Sequence, residues 1–358
     1  MSTMSQIDRL PKACVVLGAG ASADVWNGSA PILSRGNYKP PLARDLFAIE
    51  KHPSYFNILN LYLGAKSLAA VLSPKSETRE FNLEDQLRKL AEHKDKRIHQ
   101  QFKYIPPYLR DLLWHASYQY THTPGTYIQL IHALLADKPH HVLFLVLNYD
   151  TLLEQALALF DPTIDFNEIH SYIGKERQAK VVKLHGSINW FKLIGTSSQP
   201  WETLVDSQDV FQKVKEDKIY LYNSGGPLMS ILISGNRPYP ILTAPLAGKG
   251  VADMVCPETH IQFAKEFLKG CEKFLIIGCS GLDNDLLALL DEAIPSEANP
   301  TIHLVGHEDG EKALARFEKG VTAFHGPRET PPDILFKNGF RQYVNANLNR
   351  FAEYPSGH

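Results

Sequence analysis

Long apolar runs are missing from this chain of 358 residues, and no segment approaches the roughly 20 apolar residues that a bilayer-spanning helix needs. The opening residues 1–11 are polar and lack the apolar centre of a secretory leader. Cysteine is scarce. Only Cys14, Cys256, Cys271 and Cys279 occur, none in C-x-x-C spacing, and Cys14, Cys271 and Cys279 sit in or beside apolar segments. That pattern argues against a zinc knuckle. With no leader and no span, we expect a soluble protein of the reducing cytoplasm with no membrane partner and no metal. An excess of one charge is also absent: 37 basic residues face 39 acidic ones, for a net charge of -2. No general field draws nucleic acid, and we expect no direct nucleic-acid binding. Internal repeats and low-complexity segments are absent as well.

What the chain does have is a set of short apolar runs of strand length. Residues 13–17 (ACVVL), 142–147 (VLFLVL), 180–184 (KVVKL), 274–277 (FLII) and 301–305 (TIHLV) read as buried parallel strands, the last of these closing the sheet. Residues 241–244 suggest a further strand. Helical signals fill about 42–136: Leu83, Leu87 and Leu90 share one face, Asn82 is placed to cap that helix, and Pro106, Pro107 and Pro124 suit first turns. Further helices are expected over 151–159, with Thr151 and Glu154 in capping-box spacing, over 258–268, and around 286–290, where Asp283 and Asp285 favour the positive end of the dipole.

The remainder is irregular. Residues 26–41 are rich in Gly, Asn, Ser and Pro and read as a loop, while about 193–240 forms a variable excursion with hairpin character. The expected fold is therefore α/β, a Rossmann-like parallel sheet flanked by helices, with a helical insertion after the first strand and no zinc module. We expect one domain over 1–310 and a C-terminal extension over 311–358 that contacts an oligomer or a partner and is ordered only in part after Pro331.

Four tips follow the strands: Gly18-Ala19-Gly20-Ala21-Ser22, Asn148-Tyr149-Asp150, Leu184-His185-Gly186-Ser187, and Gly278-Cys279-Ser280-Gly281. All four can meet at the carboxyl edge of one sheet, where open α/β sheets bind nucleotides. Gly18, Gly20 and Ala23 satisfy G-x-G-x-x-[GA], which lets backbone approach a pyrophosphate or simply makes a turn. A hydride-transferring enzyme would also need a second strand ending in an acidic residue about 20 positions on. Proline-rich loop occupies that stretch, which counts against one. Asn148 offers a donor and an acceptor at a strand tip, or merely ends the strand while Asp150 caps the helix. His185 can handle protons near neutral pH, or be a satisfied structural side chain. The combination of all four tips in this order favours a functional set.

In that combination the chain resembles the SIR2-like branch of the sirtuin superfamily over roughly residues 12–310. Gly18 to Ser22 matches its Gly-Ala-Gly-x-Ser loop, Asn148 and Asp150 its Gln-Asn-x-Asp element, His185 and Gly186 its catalytic His-Gly, and Gly278, Cys279 and Ser280 its Gly-Thr-Ser loop. The extended segments VLNYDTLLEQAL, KLHGSINW and LIIGCSGLDNDLL are closer to SIR2-like domains of bacterial anti-phage systems than to deacetylases. Two departures stand against acetyl-lysine chemistry: no four-cysteine zinc module follows the histidine, and no Gly-Ile-Pro-Asp-Phe-Arg stretch follows the glycine loop.

The resemblance implies NAD+ as substrate and water as acceptor, giving ADP-ribose and nicotinamide. Asn148 and His185 would be catalytic. Gly18, Ala19, Gly20, Ala21, Ser22, Asp150, Gly186, Ser187, Gly278, Cys279 and Ser280 would line the nucleotide site. It also implies a homo-oligomer and a separate partner such as a HerA-type ATPase or an Argonaute. Two rivals from other classes stand beside this reading: a non-catalytic NAD or ADP-ribose sensor, and an assembly subunit.

Overall fold

The computed structural model describes residues 10–25, 40–42, 45–48, 53–73, 83–120, 125–138, 140–174, 176–223, 225–243, 255–307, 309–325 and 334–353. Residues 26–39 of the expected loop, and the expected caps Asn82 and Pro124, lie outside them.

Strand β1 (Lys12–Leu17) leads into helix α1 (Ala19–Asp24). Then come helices α2 (Pro53–Leu61), α3 (Leu63–Leu72), α4 (Leu83–Ala91), α5 (Lys96–Phe102), α6 (Ile105–Tyr120) and α7 (Gly125–Leu135). Strand β2 (His141–Val146), helix α8 (Leu152–Phe160) and strand β3 (Ala179–Lys183) continue the sheet. An excursion follows, with β4 (Gly186–Thr196), α9 (Trp201–Ser207), β5 (Tyr220–Leu221) and β6 (Asn236–Leu242). The chain then returns through α10 (Glu258–Leu268), β7 (Lys273–Ile277), α11 (Asn284–Ala293), β8 (Thr301–Val305), α12 (Gly310–Gly320), β9 (Leu335–Phe336), α13 (Gly339–Ala346) and α14 (Leu348–Ala352).

Six strands make one parallel sheet in the order β3-β2-β1-β7-β8-β9. After their first residues, Lys12, His141 and Lys273, strands β1, β2 and β7 are apolar throughout, and their side chains alternate between two buried faces. Val15, Leu17, Phe144, Val146, Leu275 and Ile277 pack beneath α7, α8, α13 and α14. Val16, Leu143, Leu145, Phe274 and Ile276 face α10, α11 and α12. Each fully buried side chain of this size contributes roughly 1.5–3 kcal/mol.

The sheet does not close at β8, as the sequence suggests. Leu335 and Phe336 add a sixth strand against Leu304 and Val305, and Phe340, Tyr343, Leu348 and Phe351 join the core. Two paired residues are too short for a strand signal, which is why sequence reading misses them.

The excursion is a three-stranded antiparallel sheet in the order β5-β4-β6. Pro238 and Pro240 lack the N–H that a central strand must donate, which confines β6 to the edge. This sheet and helices α2 to α6 share a second core, in which Leu83, Leu87 and Leu90 are all buried as their spacing predicts.

A buried ion pair within α6 fastens the insertion, through its hydrogen bonds, to the connection between β5 and β6. The Arg110 guanidinium, wholly buried, lies 2.8 Å from Asp111 Oδ1 and donates to the Gly226 carbonyl at 2.8 Å. The Asp111 carboxylate accepts from the Leu228 amide at 3.0 Å and from the Tyr62 hydroxyl at 2.5 Å. Removing one partner leaves an uncompensated buried charge. Asp111→Ala is expected to lower stability by about 3–5 kcal/mol, read from the midpoint of a urea unfolding curve.

Candidate functional site

The strand order places a topological switch between β1 and β7, because the chain runs outward from β1 through β2 to β3 and then restarts beside β1. At the carboxyl ends of these two strands, glycine meets glycine. The Gly18 amide donates to the Ile277 carbonyl at 2.9 Å, and the Gly20 amide to the Gly278 carbonyl at 3.1 Å. A Cβ on Gly18 would lie 2.5 Å from the Gly278 oxygen, and one on Gly20 would lie 2.8 Å from its Cα. Gly278 itself has φ of +63°, with no room for a Cβ against the Gly20 and Ala21 backbone. Bare backbone therefore lines this end of the crevice.

Helix α1 starts one residue after β1, and the amides of Gly18, Gly20 and Ala21 are already bonded within the fold. Ser22 faces inward and is almost wholly buried. Its Oγ is 3.0 Å from the Tyr127 hydroxyl and accepts from Asn148 Nδ2 at 2.9 Å. This donation fixes the Asn148 amide, and its Oδ1 is a buried acceptor with no partner among the described residues. Burial, reinforced by the charge of Asp150, holds the Tyr127 phenol well above its ordinary pKa, so the hydroxyl stays protonated.

Asp150 is the helix cap: its Oδ1 accepts from the Leu152 amide at 3.1 Å. The capping box expected from Thr151 and Glu154 does not form. Thr151 makes no side-chain cap, and Glu154 turns into the core, 2.9 Å from Lys183 Nζ. Both side chains are buried, and Lys183 offsets only part of the burial that raises the Glu154 carboxyl above its ordinary range. Lys183 also bonds the Asp150 carbonyl and so ties the end of β3 to the tip of β2.

His185 lies between β3 and β4, with its carbonyl accepting from the Thr243 amide at 3.0 Å. Gly186 has a φ of +80°, and a Cβ there would strike the Ile241 carbonyl, so both backbone and space call for glycine. The imidazole Nε2 lies 2.5 Å from Asp283 Oδ2, and the Tyr149 ring is 6.4 Å away. Asp283 also caps α11, its Oδ1 accepting from the Leu286 amide at 2.8 Å. Burial raises the Asp283 carboxyl, but the hydrogen bond and charge of His185, with the Leu286 and Asp285 amides, outweigh it and leave the group below the usual carboxylate range.

The tips at β1, β2, β3 and β7 thus gather at one edge, as their sequence positions imply. Not every residue in them faces the crevice. Ser187 is fully buried and its hydroxyl donates to the Tyr149 carbonyl at 3.3 Å. Cys279 places its Sγ 3.5 Å from the Ile277 carbonyl, and burial pushes its thiol far up. Ser280 is exposed, its carbonyl held by Arg316 at 2.9 Å. Sequence reasoning misses Tyr127, which arrives from the insertion 105 residues from Ser22 and carries no local motif. It also misses Lys183, although a lysine inside the run KVVKL is a visible signal. Among the described residues no group of three or more His, Cys, Asp or Glu could hold a metal ion, and no helix is long and apolar enough to cross a membrane.

This architecture is that of a doubly wound, Rossmann-like α/β protein. The profile of the SIR2-like domain family matches residues 142–322, and the chain belongs to that family. Among solved structures, a mutant Sir2 homologue in complex with 2'-O-acetyl ADP ribose shares 14% identity, covers 97% of this chain and 94% of its own, and gives a TM-score of 0.45. A Sir2 homologue–NAD complex shares 14% identity over 97% of this chain and 91% of its own, with a TM-score of 0.41. No curated protein matches by sequence.

Two outcomes follow from this geometry. Gly278→Ala is expected to cost about 1–3 kcal/mol from the dihedral alone, with the clash added to it, measured by chemical denaturation. Because the folded Asp283 pKa is depressed, its contribution to stability is fully present above the ordinary carboxyl pKa of about 3.9 and is lost as pH falls through the lower folded value. Asp283→Asn keeps the cap but not the charge. Its unfolding free energy is expected to fall less steeply than that of the parent protein below about pH 4.

Proposed function

We propose that the chain is an NAD+ glycohydrolase that cleaves NAD+ to ADP-ribose and nicotinamide, acting as an NAD-depleting effector of the anti-phage kind that its sequence resembles. The observation that carries this reading is the Asn148 amide. An acceptor buried this deeply, with no partner among the described residues, is costly to leave unbonded and suits a hydroxyl or a water brought by a ligand. Ser22 and Tyr127 fix which atom of the amide presents itself.

The remaining roles follow from chemistry. Cleaving the bond between nicotinamide and ribose develops positive charge on the sugar, so the ribose must be held and a water positioned beside it. Asn148 Oδ1 accepts from that water or from a ribose hydroxyl. His185 takes the proton. The loop of Gly18, Ala19, Gly20, Ala21 and Ser22 serves the pyrophosphate more through close approach and the helix end than through many donors, since three of its amides are engaged. Gly278, Cys279 and Ser280 border the ribose and phosphates on the β7 side through their backbone rather than their side chains. Asp150, Gly186 and Ser187 hold the tips in place, through the α8 cap, the positive φ and the Tyr149 carbonyl. Uncontrolled hydrolysis of NAD+ would harm its host, so the reading includes control by self-assembly or by a separate partner.

The test is nicotinamide release from NAD+ by the full chain, alone and with its genomic neighbour. Asn148→Ala and His185→Ala are each expected to reduce turnover by at least 100-fold while the melting temperature stays close to that of the parent. Unchanged release in both folded variants would overturn the assignment.

A further inference from the structure

The pair His185–Asp283 joins two tips that the sheet holds apart. In the order β3-β2-β1-β7, the first and last strands are separated by three spacings, about 14 Å. His185 follows β3 and Asp283 follows β7, so their contact at 2.5 Å crosses the carboxyl edge over the ends of β2 and β1. Those are the ends that carry Asn148 and the glycine loop.

Capping alone does not account for Asp283. The cap uses Oδ1 on the Leu286 amide, and Oδ2 is directed to the imidazole. Asn or Ser would cap α11 as well. A carboxylate adds a fixed negative charge, kept ionised by the positive end of a ten-residue helix. Accordingly, and resting on the hydrolase reading above, we infer that Asp283 is the positioning residue of His185: its carboxylate grips the Nε2 edge of the ring and stabilises the charge that the ring acquires with a proton.

The proton balance is simple. The C1'–N bond of the nicotinamide riboside breaks with its electron pair leaving on nicotinamide, and water oxygen bonds to C1'. The water proton passes to His185 and then to solvent, while Asp283 stays ionised throughout. Among the described residues, two further titratable side chains face the pair. Tyr149 comes from the β2 tip and donates its hydroxyl to the Thr243 carbonyl; Cys279 comes from the β7 tip, with a thiol pushed far up by burial and by Asp283. Of the two, Cys279 is held neutral by its raised thiol, and Asp283 is the carboxylate in contact with the ring. The depressed carboxyl of Asp283 is consistent with this, since His185 is among the groups that depress it.

The experiment compares the full chain with Asp283→Asn, which retains a capping oxygen, and Asp283→Glu, which retains the charge. With NAD+, Asp283→Asn is expected to lose about 10- to 100-fold in kcat with KM within about threefold, and its acid limb in kcat/KM should move to lower pH. Asp283→Glu should restore part of that limb. Independently of turnover, the ring ¹⁵N shifts of His185 should show the proton on Nε2, and Asp283→Asn should lower the proton affinity of the ring about tenfold. An unmoved ring titration, or an unchanged kcat and acid limb in Asp283→Asn, overturns the inference. A protein that never hydrolyses NAD+ but shows the ring shift would defeat the hydrolase reading and leave the pairing in place.

Discussion

The contact on which the site depends is backbone against backbone: Gly18 and Gly20 after β1 packed on Gly278 after β7. Parallel strands in one sheet are spaced by their hydrogen bonds, so their tips can converge only where no side chain intervenes. With a Cβ at any of the three, the loops would have to separate. Separation would widen the crevice that begins there and pull α1 from its seat. Ser22 sits on α1, so the same movement would release the Asn148 amide.

Around this contact the described apolar interior falls into two parts, and the candidate site lies along their seam. One part covers both faces of the parallel sheet; the other belongs to the insertion and the small antiparallel sheet. Tyr149 spans the division, packing against the second core while its hydroxyl bonds the carbonyl of Thr243, one residue beyond β6. His185 is likewise held from both sides, by β3 before it and by the Thr243 amide from the small sheet. A displacement of the small sheet would therefore reach the catalytic candidates through two bonds to the same residue.

Much of the fold was legible because buried parallel strands have a simple signature. The runs ACVVL, VLFLVL and FLII sit where β1, β2 and β7 form, and α10 occupies the residues that its pattern marks. Legibility failed where structure depends on partners distant in sequence. Strand β9 is two residues long and exists because β8 offers an edge. Glu154 matches a capping box in spacing, yet Lys183, 29 residues away, claims its carboxylate. The four tips were readable as a set because each lies directly beyond its strand. Tyr127 and the pairing of His185 with Asp283 were not, because no local pattern records a contact that crosses a sheet edge.

The division between capping residues and functional residues, natural when reading a sequence, dissolves at this edge. Asp150 caps α8 and Asp283 caps α11, each by accepting a backbone amide at the start of a helix that follows a central strand. A cap fixes the carboxylate and the turn that carries it, and the turn carries the neighbouring side chain. Capping by Asp150 therefore settles where Asn148 stands two residues earlier, and capping by Asp283 through one oxygen aims the other at His185. Fixed dipoles and charges of this kind need no reorganisation when a ligand arrives, which is the property that electrostatic stabilisation demands. Helix starts packed closely against strand ends thus do two things here: they complete the α/β crossovers, and they hold the amide and the imidazole in place.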